Sequence, residues 1–107
     1  MKCNKELLKD LEDEITRSSK IGNRQGYKVT WDKLPFWLIW GCSELGEAWE
    51  SWRDDNEEEV IEELADVFIT LFQPIGDLGF TDRFIKKLLW KIDKNSKRGY
   101  KHGRKNL

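Results

Sequence analysis

Apolar residues in this chain recur at intervals of three and four, and no stretch alternates in steps of two. That spacing belongs to the α-helix, whose faces repeat every 3.6 residues, and not to the strand. Leu7, Leu8, Leu11 and Ile15 give a first helix over residues 4–20 with Asn4 at its cap, and residues 21–30, with Gly22, Asn23, Gly26 and no period, read as a loop. A second helix is expected from the Trp31–Pro35 region to about Arg53, with Asp32 as cap and Pro35 in the first turn. A third starts near Glu57, capped by Asp55 or Asn56, and runs into the low 70s, where Pro74 and Gly76 end or kink it. The fourth follows Gly79, with Thr81 as cap, and reaches about Arg98. The spacing therefore predicts an all-α chain, a four-helix bundle in a single domain over 1–107, with a basic tail at 99–107 that orders only on binding something.

At about 100° per residue, the second helix carries two stripes. Leu38, Cys42, Leu45, Trp49 and Trp52 form one, expected to face the core. Trp37, Trp40, Glu44, Glu47 and Ser51 form the other. On the third helix, Val60, Ile61, Leu64, Val67, Phe68 and Leu71 are the expected core, and Glu59, Glu63, Asp66 and Thr70 share another face. On the fourth, Phe84, Ile85, Leu88, Leu89 and Ile92 face inward, while Lys87, Lys91, Lys94 and Arg98 make one basic edge. Trp49, Trp52 and Trp90 read as core or subunit interface. Cys42 reads as a small buried hydrophobe, and neither it nor Cys3 lies in a zinc or disulfide pattern.

Charge is segregated along the chain. Residues 44–66 hold eleven acids against one Arg, and residues 91–107 hold seven Lys or Arg against one Asp. A uniformly basic chain would suggest nucleic acid; this division suits a cation with a phosphate ligand, or attraction between the two halves. No stable nucleic-acid partner is expected. The start, Met1 to Glu6, is charged and has no apolar h-region, and the apolar run from Pro35 to Trp40 is far too short to span a bilayer. A cytoplasmic protein with no membrane partner is the expectation.

Chemistry concentrates in Glu44-Leu45-Gly46-Glu47 and Glu63-Leu64-Ala65-Asp66. Each places two carboxylates three positions apart, on one helical face. Two such helices facing each other bring four acids around one point, which is costly unless a cation lies there. Hard oxygen donors in that number suit Mg²⁺ or Mn²⁺. The same acids also read as solvated helix faces. Lys91, Lys94, Asn95, Arg98, Tyr100 and His102 offer cations, an amide and ring donors to phosphate, or a solvated helix end that complements its own dipole. Trp37 and Trp40 share the acidic face and read either as a platform for a nucleobase or as packing against the first helix or a partner subunit. Of Lys20, Arg24 and Lys28 in the first loop, one could reach a ligand; otherwise they are solvated charges.

The order Ser43-Glu44-Leu45-Gly46-Glu47, Glu62-Glu63-Leu64-Ala65-Asp66, then Lys91 through Lys94-Asn95 to Arg98-Gly99-Tyr100-Lys101-His102-Gly103 resembles the MazG-like proteins of the all-α NTP pyrophosphatase superfamily. The likeness covers about residues 30–105. The family motif is EExxE followed by ExxD. Glu44 and Glu47 match its second and third acids, Glu63 and Asp66 match the ExxD, and Ser43 stands where the motif has its first Glu. The resemblance implies a Mg²⁺-dependent hydrolase that cuts a nucleoside triphosphate between the α and β phosphates, giving the monophosphate and pyrophosphate. Glu44, Glu47, Glu63 and Asp66 are the expected metal ligands, and a carboxylate of the same cluster, Glu47 or Glu44, is the expected catalytic base. The resemblance makes Lys91, Lys94, Asn95 and Arg98 triphosphate-binding positions, and it implies a homodimer or a dimer of dimers whose site is completed at the interface. Two other readings stand beside it: a nucleotide- or metal-binding module in which Ser43 marks lost catalysis, and a helical interaction protein. A narrower substrate within the same superfamily, such as phosphoribosyl-ATP, is a further alternative.

Overall fold

A computed structural model describes residues 4–98, and those residues form four α-helices without a strand. They are α1 (Asn4–Arg24), α2 (Leu34–Arg53, entered through a 3₁₀ turn at Trp31–Lys33), α3 (Glu57–Asp77) and α4 (Thr81–Arg98). The expected tail at 99–107, with Tyr100 and His102, lies outside the described residues.

Helix ends follow from backbone chemistry. α1, α2 and α3 each close with a residue of positive φ: Gly26 at +90°, Asp55 at +57° and Gly79 at +71°. In each case the next N–H reaches back five residues, from Tyr27 to Gly22 O, Asn56 to Ser51 O and Phe80 to Ile75 O, at 2.9–3.0 Å. This pattern satisfies carbonyls that a helix end leaves open. Asn56, as expected, caps α3, accepting from Glu59 N at 3.1 Å. Asp32 does not cap α2; its carboxylate accepts from the Thr30 hydroxyl instead.

α1 runs four residues beyond its expected end because Gly22 is part of its packing face. A Cβ there would lie 2.2 Å from the Gln73 side chain. α3 likewise passes through Pro74 and Gly76 to Asp77, and a Cβ on Gly76 would lie 2.8 Å from Ser19 Cβ. These two glycines let α1 and α3 cross closely. Asp77 then ties the crossing together, accepting from the Ser19 hydroxyl, Asn23 Nδ2 (3.3 Å), Gln73 Nε2 (3.2 Å) and Val29 N (2.8 Å). Ile15 and Val29 are fully buried beside it.

α2 and α3, joined by residues 54–56, form an antiparallel hairpin, the largest packing contact among the helices. Its seam is Trp37, Gly41, Glu44, Ala48 and Ser51 on α2 against Val60, Glu63, Val67, Thr70 and Pro74 on α3, all of them buried or half-buried. The steps alternate between three and four, the period at which two helices stay in contact.

This corrects the expected core. Leu38, Cys42, Leu45, Trp49 and Trp52 lie on the surface, as do Ile61, Leu64 and Phe68. Small residues of α2, Gly41, Ala48 and Ser51, bring it against α3, where the expected Val60 and Val67 do pack, and the stripe bearing the acids is the packing stripe. α4 borders α1 and the end of α3, and it makes no contact with α2. Phe84, Ile85 and Leu88 are half-buried, whereas Leu89, Trp90 and Ile92 remain exposed. The radius of gyration, 15.9 Å, exceeds the roughly 13 Å of a compact domain of this length.

Candidate functional site

Glu44 and Glu63 occupy seam positions, so hairpin packing itself carries them inward. Asp66 follows one turn after Glu63. One carboxylate oxygen from each of Glu44, Glu63 and Asp66 lies within 4.8 Å of the others. Glu44 and Glu63 are half-buried and Asp66 is exposed. Glu63 Oε2 is buried and, among the described residues, has no hydrogen-bond partner.

Such a set is strained electrostatically. Burial, followed by the neighbouring Glu47, Asp66 and Glu44 carboxylates, pushes Glu63 up from the usual 4.5 to about 7. When Glu63 holds a proton it can donate to Glu47 or Glu44. When it loses that proton, the orphaned oxygen faces only other acceptors. A hard divalent cation removes the same strain, and an all-oxygen donor set with one buried, unpartnered member fits Mg²⁺ or Mn²⁺. Exposed acidic groups are also common without an ion.

Glu47 stands one position before a seam residue. It flanks Glu63 and lines a groove of about 280 Å³ with Glu50, Ser51, Asp54, Glu59 and Glu63. Of the four acids expected to ligate, three therefore meet at one point and the fourth lies beside them. Ser43, on the same side of α2 as Glu47, is exposed, so the residue replacing the motif's first acid leaves no interior gap. Glu50 and Asp54 belong to the groove although the motif does not include them.

Trp40 Nε1 donates to Glu44 Oε1 at 3.1 Å, and the Trp37 and Trp40 rings lie 5.4 Å apart. Trp37 is half-buried in the seam and Trp40 is exposed on the acid side. An exposed indole thus touches one of the clustered acids.

The basic edge is placed differently. Lys91, Lys94 and Asn95 are exposed on α4, and within one chain α4 does not border the acids of α2. Lys87 and Lys94 lie over the exposed Trp90 ring, 4.9 and 4.7 Å from its centroid. Lys20, Arg24 and Lys28 are exposed on and just after α1. No helix among the described residues is long and apolar enough to cross a membrane. Comparison with protein-family models, curated proteins and solved structures finds no match for this chain.

Proposed function

We propose that the chain is a Mg²⁺-dependent nucleoside triphosphate pyrophosphohydrolase of the MazG-like kind, cleaving between the α and β phosphates. The observation that carries this reading is the buried, unpartnered Glu63 oxygen among the Glu44, Asp66 and Glu47 carboxylates. Glu44, Glu63 and Asp66 would hold the cation, with Glu47 beside them. Bound there, Mg²⁺ or Mn²⁺ would neutralise the acids and polarise a phosphoryl group.

The chain's own residues supply the rest. Glu47 is on the open side of the cluster, in a groove that admits water, and is assigned as general base, with Glu44 its nearest alternative. Trp40, fixed by its bond to Glu44, offers an exposed ring face to a base next to the acids, and Trp37 backs it. Lys91, Lys94, Asn95 and Arg98 are assigned to the triphosphate and the departing pyrophosphate. Because α4 does not border α2 within one chain, this role would call on a second copy, as in the homodimer or dimer of dimers that the resemblance implies.

Incubation of purified protein with Mg²⁺ and a panel of nucleoside triphosphates tests this directly. Monophosphate and pyrophosphate are the expected products, and diphosphate with phosphate would overturn the assignment. Glu63→Gln and Asp66→Asn should each lower turnover by at least a hundredfold. Full turnover in either variant would remove the cluster from the mechanism.

A further inference from the structure

We infer that the outward face of α4 docks single-stranded nucleic acid, with Trp90 as the platform on which a base stacks. Helix geometry defines the face. At about 100° per residue, Arg83, Lys86, Lys87, Lys94 and Lys97 all lie within about 60° of Trp90. Phe84, Ile85 and Leu88, the half-buried apolar residues of α4, lie about 120–160° away from it. Trp90 is therefore on the side opposite to the one through which α4 packs, and it is 50% exposed. An indole in that place contributes little to holding the helix against α1 and α3.

Cations surround the ring. Lys87, a turn before it, and Lys94, a turn after it, lie 4.9 and 4.7 Å from its centroid. Arg83 and Lys86 continue the face toward the start of the helix, and Lys97 continues it toward the end. The one acid in the same arc, Asp93, is already paired with Lys97 at 3.0 Å. From Arg83 to Lys97 the face runs about 21 Å along the axis, enough for several nucleotides. The chain as a whole has a formal net charge of −1, so this excess of positive charge belongs to the element and not to the molecule. The sequence that follows α4 is basic as well, with Lys101, Arg104 and Lys105.

A single strand is the occupant that these features select. Its backbone repeats negative charge for the lysines to follow, and its unpaired bases have free π-faces for the indole. A duplex keeps its bases stacked on one another. An acidic peptide would pair with the cations and leave the ring unused. A helix that lies in a membrane surface turns a broad apolar face to the lipid, whereas Trp90 is the only apolar side chain in this arc. An exposed cation–π contact is weaker than the stacking of a base on an aromatic ring, so a base can displace a lysine from Trp90 and release it to a neighbouring phosphate. Only Lys94 is shared with the residues assigned to the triphosphate. The inference uses neither the acids nor a metal, and it holds whether or not the chain hydrolyses nucleotides.

Fluorescence anisotropy tests it, with labelled single-stranded DNA and RNA oligomers of about 15 nucleotides and the matching DNA duplex, in EDTA and about 50 mM salt. The parent should bind a single strand at micromolar concentration, at least tenfold more tightly than the duplex, and about tenfold more weakly once salt is raised to about 200 mM. Trp90→Ala should weaken binding at least fivefold and keep its helical circular dichroism. Lys86→Gln with Lys97→Gln should weaken binding and flatten its salt dependence. Glu63→Gln should bind as the parent does, because the acids take no part. No binding of either single strand at 100 µM parent protein would overturn the inference, and so would a duplex bound as tightly, or a Trp90→Ala variant that binds as well as the parent. Tighter binding to phosphatidylserine vesicles than to either strand would overturn it in favour of a lipid surface. If Trp90→Ala unfolds, the parent's affinity and its preference for single strands still decide.

Discussion

Glu63 is the residue at which folding and chemistry conflict. Its seam position demands burial, and its neighbours Glu44, Glu47 and Asp66 all repel its charge. Its folded pKa, about 7, lies above the usual 4.5, so the folded state holds the proton more tightly. The stabilisation from that proton is complete below about pH 4.5 and is lost as pH rises through 7. Without divalent cations, Glu63→Gln should therefore melt higher than the parent at pH 8, and the difference should vanish near pH 4.5. Mg²⁺ should raise the parent's Tm at pH 8 and leave the Gln variant's nearly unchanged. Differential scanning calorimetry at the two pH values reads this, and a parent that matches the variant at pH 8 without metal would refute it. Asp77 shows the opposite solution for a half-buried carboxylate: four donors surround it.

At the scale of elements, Asp55 stands where α1 and α3 have glycine. Its φ of +57° is uncommon for a residue with a Cβ, although Asp tolerates it better than most. Asp55→Gly should stabilise the hairpin by about 0.5 kcal/mol, and Asp55→Val should destabilise it by about 1–2 kcal/mol. Urea titration followed by circular dichroism gives both signs. The helices themselves were legible from spacing, and Asn56 and Gly79 marked their bounds. The α1 end was not. Gly22 resembles a helix breaker until Gln73, far away in sequence, is seen pressed against it. Nor could the wheel choose the packing stripe of α2. Leu45 and Trp49 are larger and more apolar than Gly41 and Ala48, yet close approach favours the small pair. Of the site, the acid motif was readable, and the meeting of Glu44 with Glu63 follows from antiparallel packing. Asp77 bore no motif, and its role emerged only from the donors gathered on it. The separation of α4 from α2 is a tertiary fact that spacing could not give.

As a whole molecule, a single chain is an open object. Large apolar side chains are exposed on both helices of the hairpin and on the distal half of α4. If two copies share the burial of these residues, folding and association are linked, and stability must depend on concentration. The Tm of the parent protein should rise by several degrees between 5 and 500 µM chain, while the Leu45→Glu/Phe68→Glu variant, where folded, should show no such dependence. A parent Tm that is flat over that range would mean that the chain is stable unassisted. The alternation of three and four along the seam also bears on which insertions α2 can survive. Acids, packing residues and the apolar face follow one another at single-residue offsets. Loss of one residue between Trp40 and Glu44 would rotate everything downstream by about 100° relative to what precedes it. That shift would carry Glu44 off the seam to the place of Ser43 and Glu47 to that of Gly46, and bring Leu45, Trp49 and Trp52 into the seam. Lineages descended from this chain should therefore vary in length at the 25–30 and 54–56 connections, and hardly at all within the helix that carries its acids.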